Sequence, residues 1–304
     1  MDMALIPESP SNKSTTVRTK ARPQPFAQRA LKVGLNVLSA VSASGAAAVA
    51  ERFFVTPKRY PRPAVELEAL QSARHLLVPA KPNSLLAEPL AAWEWGHEGP
   101  RVLLVHGWEG RGAQLAPFVE PLLARGFRVV TFDAPGHGNS AGEVSSLVHF
   151  AQAIEAVVQA YGPFEAIITH SMGGAATAWA LRNGPLAKRL VMLCPPIAVQ
   201  DFTRQLTQAL SLSDSVRTNV ERRLARRFGV APEALHVAKV APNMRTPLLL
   251  VHDQDDREVP FACGEAIAES WPGATLIRTQ GLGHRRILRD PKVIEQAVRF
   301  VAGA

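Results

Sequence analysis

One serine at a predicted strand-to-helix junction constrains this chain more than any other feature. The apolar run that ends in Ile167-Ile168-Thr169 predicts a short buried strand, and the small-residue run from Met172 predicts a helix. Ser171 lies between them, where a sharp turn would expose its hydroxyl beside the positive end of the helix. The pentapeptide Thr169-His170-Ser171-Met172-Gly173 departs from Gly-x-Ser-x-Gly at its first residue. Alone, this motif leaves open both a catalytic serine and a buried helix start.

Two polar groups follow Ser171 in the order of acid and then histidine. The run Pro247–His252 predicts a buried strand, and three aspartates follow it. The loop Gln280-Gly281-Leu282-Gly283-His284 then places a histidine just before the last predicted helix. We predict that His284 takes the proton of Ser171, because a serine hydroxyl is a weak nucleophile until a base accepts that proton. A carboxylate is needed to orient the histidine.

Two more motifs complete a resemblance to a known family. The stretch Leu103–Trp108 is similar to an oxyanion strand and loop, and Phe132–Ser140 is similar to the turn after the next strand. With the Ser171 motif, they make the chain resemble α/β-hydrolase-fold serine hydrolases of the bacterial esterase and lipase type, from roughly Leu76 to the C-terminus. The resemblance implies a mostly parallel central sheet of about eight strands, with helices on both faces and a small helical cap.

The resemblance also implies roles for individual residues. Asp256 is the implied acid, because it stands in the Asp-x-x-Val-Pro position of the family, and Asp255 is the reserve. Asp253 is expected to cap its loop, and Asp133 is expected to be structural. The backbone N–H groups of Trp108 and Met172 would form the oxyanion hole, and the candidate pocket residues are His106, Gly107 and His170. No metal-ligand spacing such as His-Glu-x-x-His occurs, and we expect neither a metal nor a cofactor.

Strand and helix patterns alternate along the body of the chain, which favours parallel pairing and a sheet covered on both faces. The first two predicted strands have no helix between them and should form an antiparallel edge. The predicted strands are His75–Val78, Ala91–Trp95, Val102–His106, Phe127–Phe132, Glu165–Thr169, Leu190–Leu193, Pro247–His252 and Ala274–Arg278. The predicted helices are Ala113–Arg125, Ser146–Tyr161, Met172–Asn183, Phe261–Ser270 and Arg286–Ala302. The alternation breaks at 196–244, where helices at Asp201–Leu210 and Ser215–Phe228 suggest the cap.

The N-terminal stretch 1–60 is predicted as a separate basic extension, and 61–304 as the hydrolase domain. The extension holds nine Lys and Arg against three acids, so it carries six of the eight net positive charges. Residues 1–25 have a composition typical of disorder. The apolar run near 31–50 predicts a helix packed on the domain or lying at a surface, with a membrane span or a secretory signal as alternatives. Residues 53–63 predict an extended, proline-stiffened connection.

The predicted function is cleavage of carboxylic esters of small to medium acyl size through an acyl-serine intermediate. Thioesters, lactones and carbon–carbon bonds remain alternative substrates, because the same three residues cleave them. A non-catalytic binding module is a further, less favoured alternative. The expected partner is a small-molecule ester, with a possible weak membrane-surface contact through the extension. Nucleic-acid motifs are absent from the sequence. Two cysteines give no disulfide framework, which favours a cytoplasmic location over a membrane-associated or exported one. The oligomeric state stays open.

Overall fold

The computed structural model describes residues 26–81 and 84–303, and its centre is one sheet of eight strands. The strand order is β1-β2-β4-β3-β5-β6-β7-β8. Strand β2 pairs antiparallel with β1 and β4, and all other neighbours are parallel. The strands are β1 (Arg74–Val78), β2 (Leu90–Trp95), β3 (Arg101–Val105), β4 (Arg128–Phe132), β5 (Phe164–His170), β6 (Ala187–Leu193), β7 (Leu248–Asp253) and β8 (Thr275–Thr279).

Helices cover both faces of this sheet, and their ends follow ordinary capping chemistry. Ser146 accepts a hydrogen bond from the His149 N–H, and Asp290 accepts from Lys292 and Val293, so these side chains begin two of the helices. The helices are α1 (Phe26–Val41), α2 (Ala43–Val55), α3 (Ala64–Gln71), α4 (Val119–Leu123), α5 (Leu147–Tyr161), α6 (Met172–Leu181), α7 (Val199–Ala209), α8 (Asp214–Phe228), α9 (Val237–Val240), α10 (Phe261–Ser270), α11 (Gly283–Arg286) and α12 (Pro291–Val301).

The core consists of two apolar layers, one on each face of the sheet. Strands β3, β5 and β7 are nearly continuous apolar runs because both of their faces are buried. One layer includes Ile154 of α5 and Ile167 of β5, and the other includes Leu104 of β3 and Val298 of α12. The mostly parallel eight-stranded α/β sheet and its antiparallel edge are therefore confirmed.

Several features differ from the sequence predictions. The last helix begins at Pro291 instead of Arg286, because Asp290 caps it there. Two helices replace the single helix near 31–50, because Ser42 is extended and its hydroxyl caps the second helix by accepting from the Gly45 N–H. Helix α2 also continues to Val55, so the connection is extended only over 56–63. Helix α3 was not predicted. The predicted helix at 113–125 is a 3₁₀ segment at 112–118 followed by α4, with Pro117 inside that segment.

The N-terminal helices pack against the region predicted as the cap. Helices α7 and α8 lie within 196–244, and α8 forms a third apolar cluster with α2. The boundary between 1–60 and 61–304 remains a prediction, and residues 1–25, predicted to be disordered, lie outside the described residues. Among the helices that the structure describes, none combines the length and the apolar character needed to span a bilayer.

Candidate active site

The polar residues singled out in the sequence converge at one edge of the sheet. Strands β5, β6 and β7 are neighbours, and Ser171, Cys194 and Asp256 follow their respective carboxyl ends. Carboxyl ends of adjacent parallel strands open into one crevice, which is where ligands bind in open α/β sheets. The pairing of these strands therefore brings together residues that are far apart in the chain.

Ser171 lies on a strained turn between β5 and α6. Its φ is 50° and its ψ is −125°, a conformation that a side-chain-bearing residue rarely adopts. Glycines let the neighbouring backbone pass close to it: a Cβ at Gly107 would meet the Ser171 Cβ at 2.8 Å. A Cβ at Gly173 would meet the His106 carbonyl oxygen at 2.6 Å. The turn holds the serine at the cavity surface with little freedom to relax.

Thr169 fits at the position where the pattern has glycine. Its hydroxyl is buried and donates a 3.0 Å hydrogen bond to the Val191 carbonyl of β6. Close approach occurs instead at Gly174, where a Cβ would lie 3.2 Å from the Thr169 Oγ1 and 3.1 Å from the Pro195 Cβ. The second glycine of Gly173-Gly174 thus leaves room for the threonine side chain.

His284 is bonded to Asp256. The His284 Nδ1 lies 2.7 Å from the Asp256 Oδ2, which fixes the N–H on Nδ1 and leaves Nε2 as the basic nitrogen. Asp253 holds the histidine loop in place, because its carboxylate accepts from the backbone N–H groups of Leu282 and Gly283 at 3.0 and 2.8 Å. Asp253 thus caps its loop, and Asp255 accepts from the Gly281 N–H at the exposed rim of that loop.

The Asp256 carboxylate is buried among hydrogen-bond donors. Burial raises its pKa, but the His252 ring with Nε2 at 3.6 Å, the hydrogen bond from His284 and the hydrogen bond from the Val259 N–H outweigh that effect and lower the pKa well below its usual range. The backbone N–H groups of Glu258 and Val259 donate to Oδ1 at 2.8 and 2.9 Å. Asp256 therefore stays ionised across the physiological pH range.

Cys194, Asp256 and His284 form the one group among the described residues with metal-ligand spacing. Burial is the largest of the effects that raise the pKa of the Cys194 thiol, so the sulfur stays protonated, whereas a metal needs the thiolate. The His284 Nδ1 is already committed to Asp256. This donor set fits a hydrogen-bonded cluster better than a cation site. Sequence reasoning missed Cys194 and His252, although their places at the ends of adjacent strands were the available signal.

Two other histidines of the motifs, His170 and His106, form hydrogen bonds with backbone groups around the site. The His170 Nε2–H donates to the His284 carbonyl at 2.9 Å, and burial lowers the pKa of His170 to about 3. His106 accepts from the Ala134 N–H at 3.0 Å, and burial lowers its pKa to about 4. Both rings are therefore neutral. Gly107 and His170 line the cavity, but His106 lies behind its wall.

The two predicted oxyanion donors come from different elements. Met172 is the first residue of α6, where a backbone N–H has no intrahelical acceptor. Trp108 lies in the loop after β3, against the ring of His137 at a centroid distance of 5.3 Å. Asp133 is structural, as predicted: it is buried and accepts from the Gly112 N–H of the same loop at 2.8 Å.

A cavity of about 840 Å³ contains the predicted residues of the site, except Asp256 and His106. Ser171, His284, Trp108 and Met172 lie on its wall. Its volume is in the range of small-molecule sites. Sequence reasoning missed several lining residues from outside the motifs: Phe53, Phe54, Tyr60, Phe202, Leu206 and Arg289.

The fold and this cavity define an α/β enzyme whose polar groups collect at the carboxyl ends of parallel strands. The model of the alpha/beta hydrolase family matches residues 102–297 of this chain. The chain belongs to that family, and the predicted resemblance is confirmed.

Several similar proteins, both curated relatives and solved structures, are named as esterases. A pimeloyl-[acyl-carrier protein] methyl ester esterase from Xanthomonas axonopodis pv. citri is 28% identical over 248 residues, covering 68% of this chain and 96% of the relative. A bifunctional esterase/perhydrolase from Acinetobacter calcoaceticus is 27% identical over 63% of this chain and 87% of its own length. The Pyrococcus furiosus esterase Pf2001 superposes with a TM-score of 0.61 at 18% identity, covering 82% of this chain and 99% of that one.

Proposed function

We propose that this protein is a carboxylic ester hydrolase that acts through an acyl intermediate on Ser171. The observation that carries the proposal is the 2.7 Å bond between His284 Nδ1 and Asp256 Oδ2, with the His284 ring and the strained Ser171 on one cavity wall. Ester cleavage is the activity named for the curated relatives. Serine, imidazole and carboxylate suffice for it, so the proposed reaction uses neither a metal nor a cofactor.

The reaction starts with attack of the Ser171 Oγ on the ester carbonyl carbon. His284 Nε2 accepts the hydroxyl proton as the new C–O bond forms, and Asp256 stabilises the resulting imidazolium. The carbonyl oxygen becomes an oxyanion, which the backbone N–H groups of Trp108 and Met172 stabilise. Collapse of this intermediate breaks the bond to the alcohol, which leaves with the proton from His284. Water then attacks the acyl-serine in the same way, with His284 again accepting and returning a proton, and the carboxylic acid leaves Ser171.

The uncharged ring of His170 favours this use of His284. A charged imidazole next to His284 would oppose the imidazolium that forms during attack. The burial that lowers the pKa of His170 to about 3 keeps that neighbouring ring uncharged at neutral pH. The hydrogen bond from His170 to the His284 carbonyl also fixes the backbone of the base. His170 is therefore a positioning residue in this proposal.

Substitution of the serine tests the proposal directly. Ser171→Ala removes the nucleophile, and we expect hydrolysis of p-nitrophenyl esters to fall on the order of 10⁶-fold, as for other serine nucleophiles. A fluorophosphonate should add its mass to the wild-type protein and not to Ser171→Ala. Ser211→Ala is a matched control, because Ser211 also has a positive φ but lies between α7 and α8.

Failure has three distinguishable forms. Full ester hydrolysis by Ser171→Ala would show that another residue attacks the ester. A wild-type protein that neither hydrolyses an ester nor reacts with the fluorophosphonate would favour the non-catalytic binding module. Reaction with the fluorophosphonate without turnover of any oxygen ester would leave a reactive serine and favour thioesters, lactones or carbon–carbon bonds as substrates.

We also propose that the N-terminal extension contacts an anionic membrane surface, with the enzyme in the cytoplasm. Support comes from the exposed face of α1, where every exposed residue between 30 and 41 is apolar or glycine. Val33 and Val37 are each 63% exposed, and Val41 is 85% exposed. Their spacing of four residues puts them on one stripe of the helix. Such a stripe next to a basic sequence is typical of helices that lie on a lipid surface.

A further inference from the structure

Helix α2 lies outside the part of the chain that matches the family, yet it is packed onto the cap. Ala46, Ala47 and Ala50 are fully buried in a cluster with Val216 and Val220 of α8. Small side chains on α2 allow the two helices to approach closely. The contact therefore resembles the interior of a domain more than a loose attachment.

A buried carboxylate ties the same two helices together. Glu51 is only 4% exposed, and its oxygens accept from Arg223 Nε at 2.5 Å and from Arg227 at 3.2 Å. Two of the α8 arginines thus pair with α2. A buried carboxylate left without these partners would be costly. This pairing fixes α2 at one place along α8.

The segment after α2 is anchored to the loops around the site. The Val55 carbonyl accepts from the Ser145 N–H at 2.8 Å, directly before α5. Arg59 donates to the carbonyls of Gly138, Ser140 and Gly142 at 2.7–2.8 Å. The chain is therefore held on both sides of the last turn of α2.

This last turn of α2 reaches the cavity. Phe53 and Phe54 line it together with Phe202, Leu206 and Ala209 of α7. Phe53 is 48% exposed, whereas Phe54 is partly buried against the cluster between α2 and α8. Two helices, one from the extension and one from the cap, thus give the cavity an apolar wall.

We infer that α2 forms part of the substrate-binding wall, with Phe54, and to a lesser degree Phe53, limiting the length of the acyl chain that the cavity accepts. The inference rests on the proposed ester hydrolysis at Ser171. The ligand it implies is an ester whose acyl chain is apolar and extends from Ser171 towards α2. The N-terminal extension is then a specificity element of the enzyme.

Substitution at Phe54 tests this inference with p-nitrophenyl esters of two to twelve acyl carbons. Phe54→Ala enlarges the cavity by removing a side chain from its wall. The ratio of kcat/KM for the ten-carbon ester to that for the two-carbon ester should therefore rise roughly tenfold or more. Phe54→Trp should lower that ratio. Phe53→Ala should raise it by a smaller factor, because the Phe53 side chain is 48% exposed.

Val49→Ala is the matched control, because Val49 lies one turn before Phe53 on α2, is exposed, and is not part of the cavity wall. In this variant the ratio of kcat/KM for the ten-carbon ester to that for the two-carbon ester should stay within about twofold of the wild-type value. Glu51→Gln tests the docking: by weakening the hold of α8 on α2, it should raise the ratio while the two-carbon ester is still cleaved. A structural role of Glu51 alone would change stability but not the ratio.

The outcomes separate this inference from the proposed function. Serine-dependent hydrolysis with an unchanged ratio in Phe54→Ala and Phe53→Ala would overturn the role of α2 and leave the ester hydrolase intact. Absence of any Ser171-dependent reaction in wild type would overturn both. Phe53 is half exposed, so Phe53→Ala keeps the test decisive even if Phe54→Ala fails to fold.

Discussion

The carboxylate of Asp256 accepts hydrogen bonds on both of its oxygens. The backbone N–H groups of Glu258 and Val259 donate to one oxygen, and His284 donates to the other. These bonds exist only in the folded protein, and they lower the pKa of Asp256 below its usual value despite burial. The same bonds that orient the proposed base therefore also contribute to the stability of the fold.

A pH-dependent loss of stability follows for Asp256→Asn. Because the folded pKa is lowered, the carboxylate stabilises the fold above its unfolded pKa, ~3.9, and this contribution is lost as the pH falls through the folded pKa. Asp256→Asn should therefore lower the free energy of unfolding at pH 7, and the difference from wild type should shrink as the pH falls below ~3.9. Urea titrations at a series of pH values measure this.

The same substitution should reduce kcat on the order of 10⁴-fold, as for acids with the proposed role in other serine hydrolases. Asp255→Asn is the matched control, because Asp255 is adjacent and exposed, and its carboxylate accepts from the Gly281 N–H at the loop rim. It should change kcat only a few-fold. A large loss in Asp255→Asn with little loss in Asp256→Asn would exchange the two assignments and leave Asp255 as the acid.

At the scale of elements, the junction of β5 and α6 departs from the usual pattern by a paired change. Thr169 brings a hydroxyl to the place of a glycine, and Gly174 is the residue against which that side chain packs. The Thr169 hydroxyl donates to the Val191 carbonyl of β6, so it also contributes one buried hydrogen bond between neighbouring strands. The two positions should therefore depend on each other.

A double-mutant cycle tests this dependence. Gly174→Ala places a Cβ 3.1 Å from Pro195 and 3.2 Å from Thr169, and it should lower stability by about 1–3 kcal/mol. Thr169→Gly should also lower stability, because it removes the bond to Val191. Combined, they should cost at least about 0.5 kcal/mol less than the sum of the single changes. Additive losses in thermal or urea unfolding would show that the two positions do not interact.

At the scale of the whole molecule, sequence reasoning was strongest where local pattern and position along the chain agree. The eight strands follow from alternating apolar segments, and Ser171, Asp256 and His284 follow from motifs whose order reflects the order of strands. It was weakest where distant segments meet. Nothing in the run Phe53-Phe54 indicates a cavity wall, because only the packing of α2 on α8 brings these rings to the site.

The same limit applies to Ser42 and to Glu51. The stretch 31–50 reads as one apolar run, but a serine cap divides it into two helices whose faces have different surroundings. Helix α2 is buried against the cap, whereas α1 leaves Val33, Val37 and Val41 exposed. Glu51 is one acid in a basic extension, and only the packing of α2 on α8 brings two arginines to it. Hydrophobicity alone does not tell which face of a helix finds a partner.

The exposed stripe of α1, formed by Val33, Val37 and Val41, predicts that the full-length protein binds anionic lipid vesicles. Insertion of the three valines into the membrane–water interface removes apolar surface from water, which contributes about 25 cal/mol of favourable free energy per Å². The basic extension adds attraction to anionic headgroups, roughly 1 kcal/mol for each Lys or Arg near the surface. The full-length protein should therefore sediment with vesicles that contain phosphatidylglycerol, and much less with vesicles of phosphatidylcholine alone. High salt should weaken the binding.

A double substitution to aspartate distinguishes binding through the α1 stripe from nonspecific binding through any exposed apolar side chain. Val33→Asp with Val37→Asp should abolish sedimentation with phosphatidylglycerol vesicles, whereas Val65→Asp on α3 should not, although Val65 is 62% exposed and the two α1 valines are each 63% exposed. If wild type does not bind the vesicles, or if both variants bind equally, the membrane contact is wrong. Should the α1 variant instead convert a dimer into a monomer in light scattering, the stripe binds a second copy of the chain.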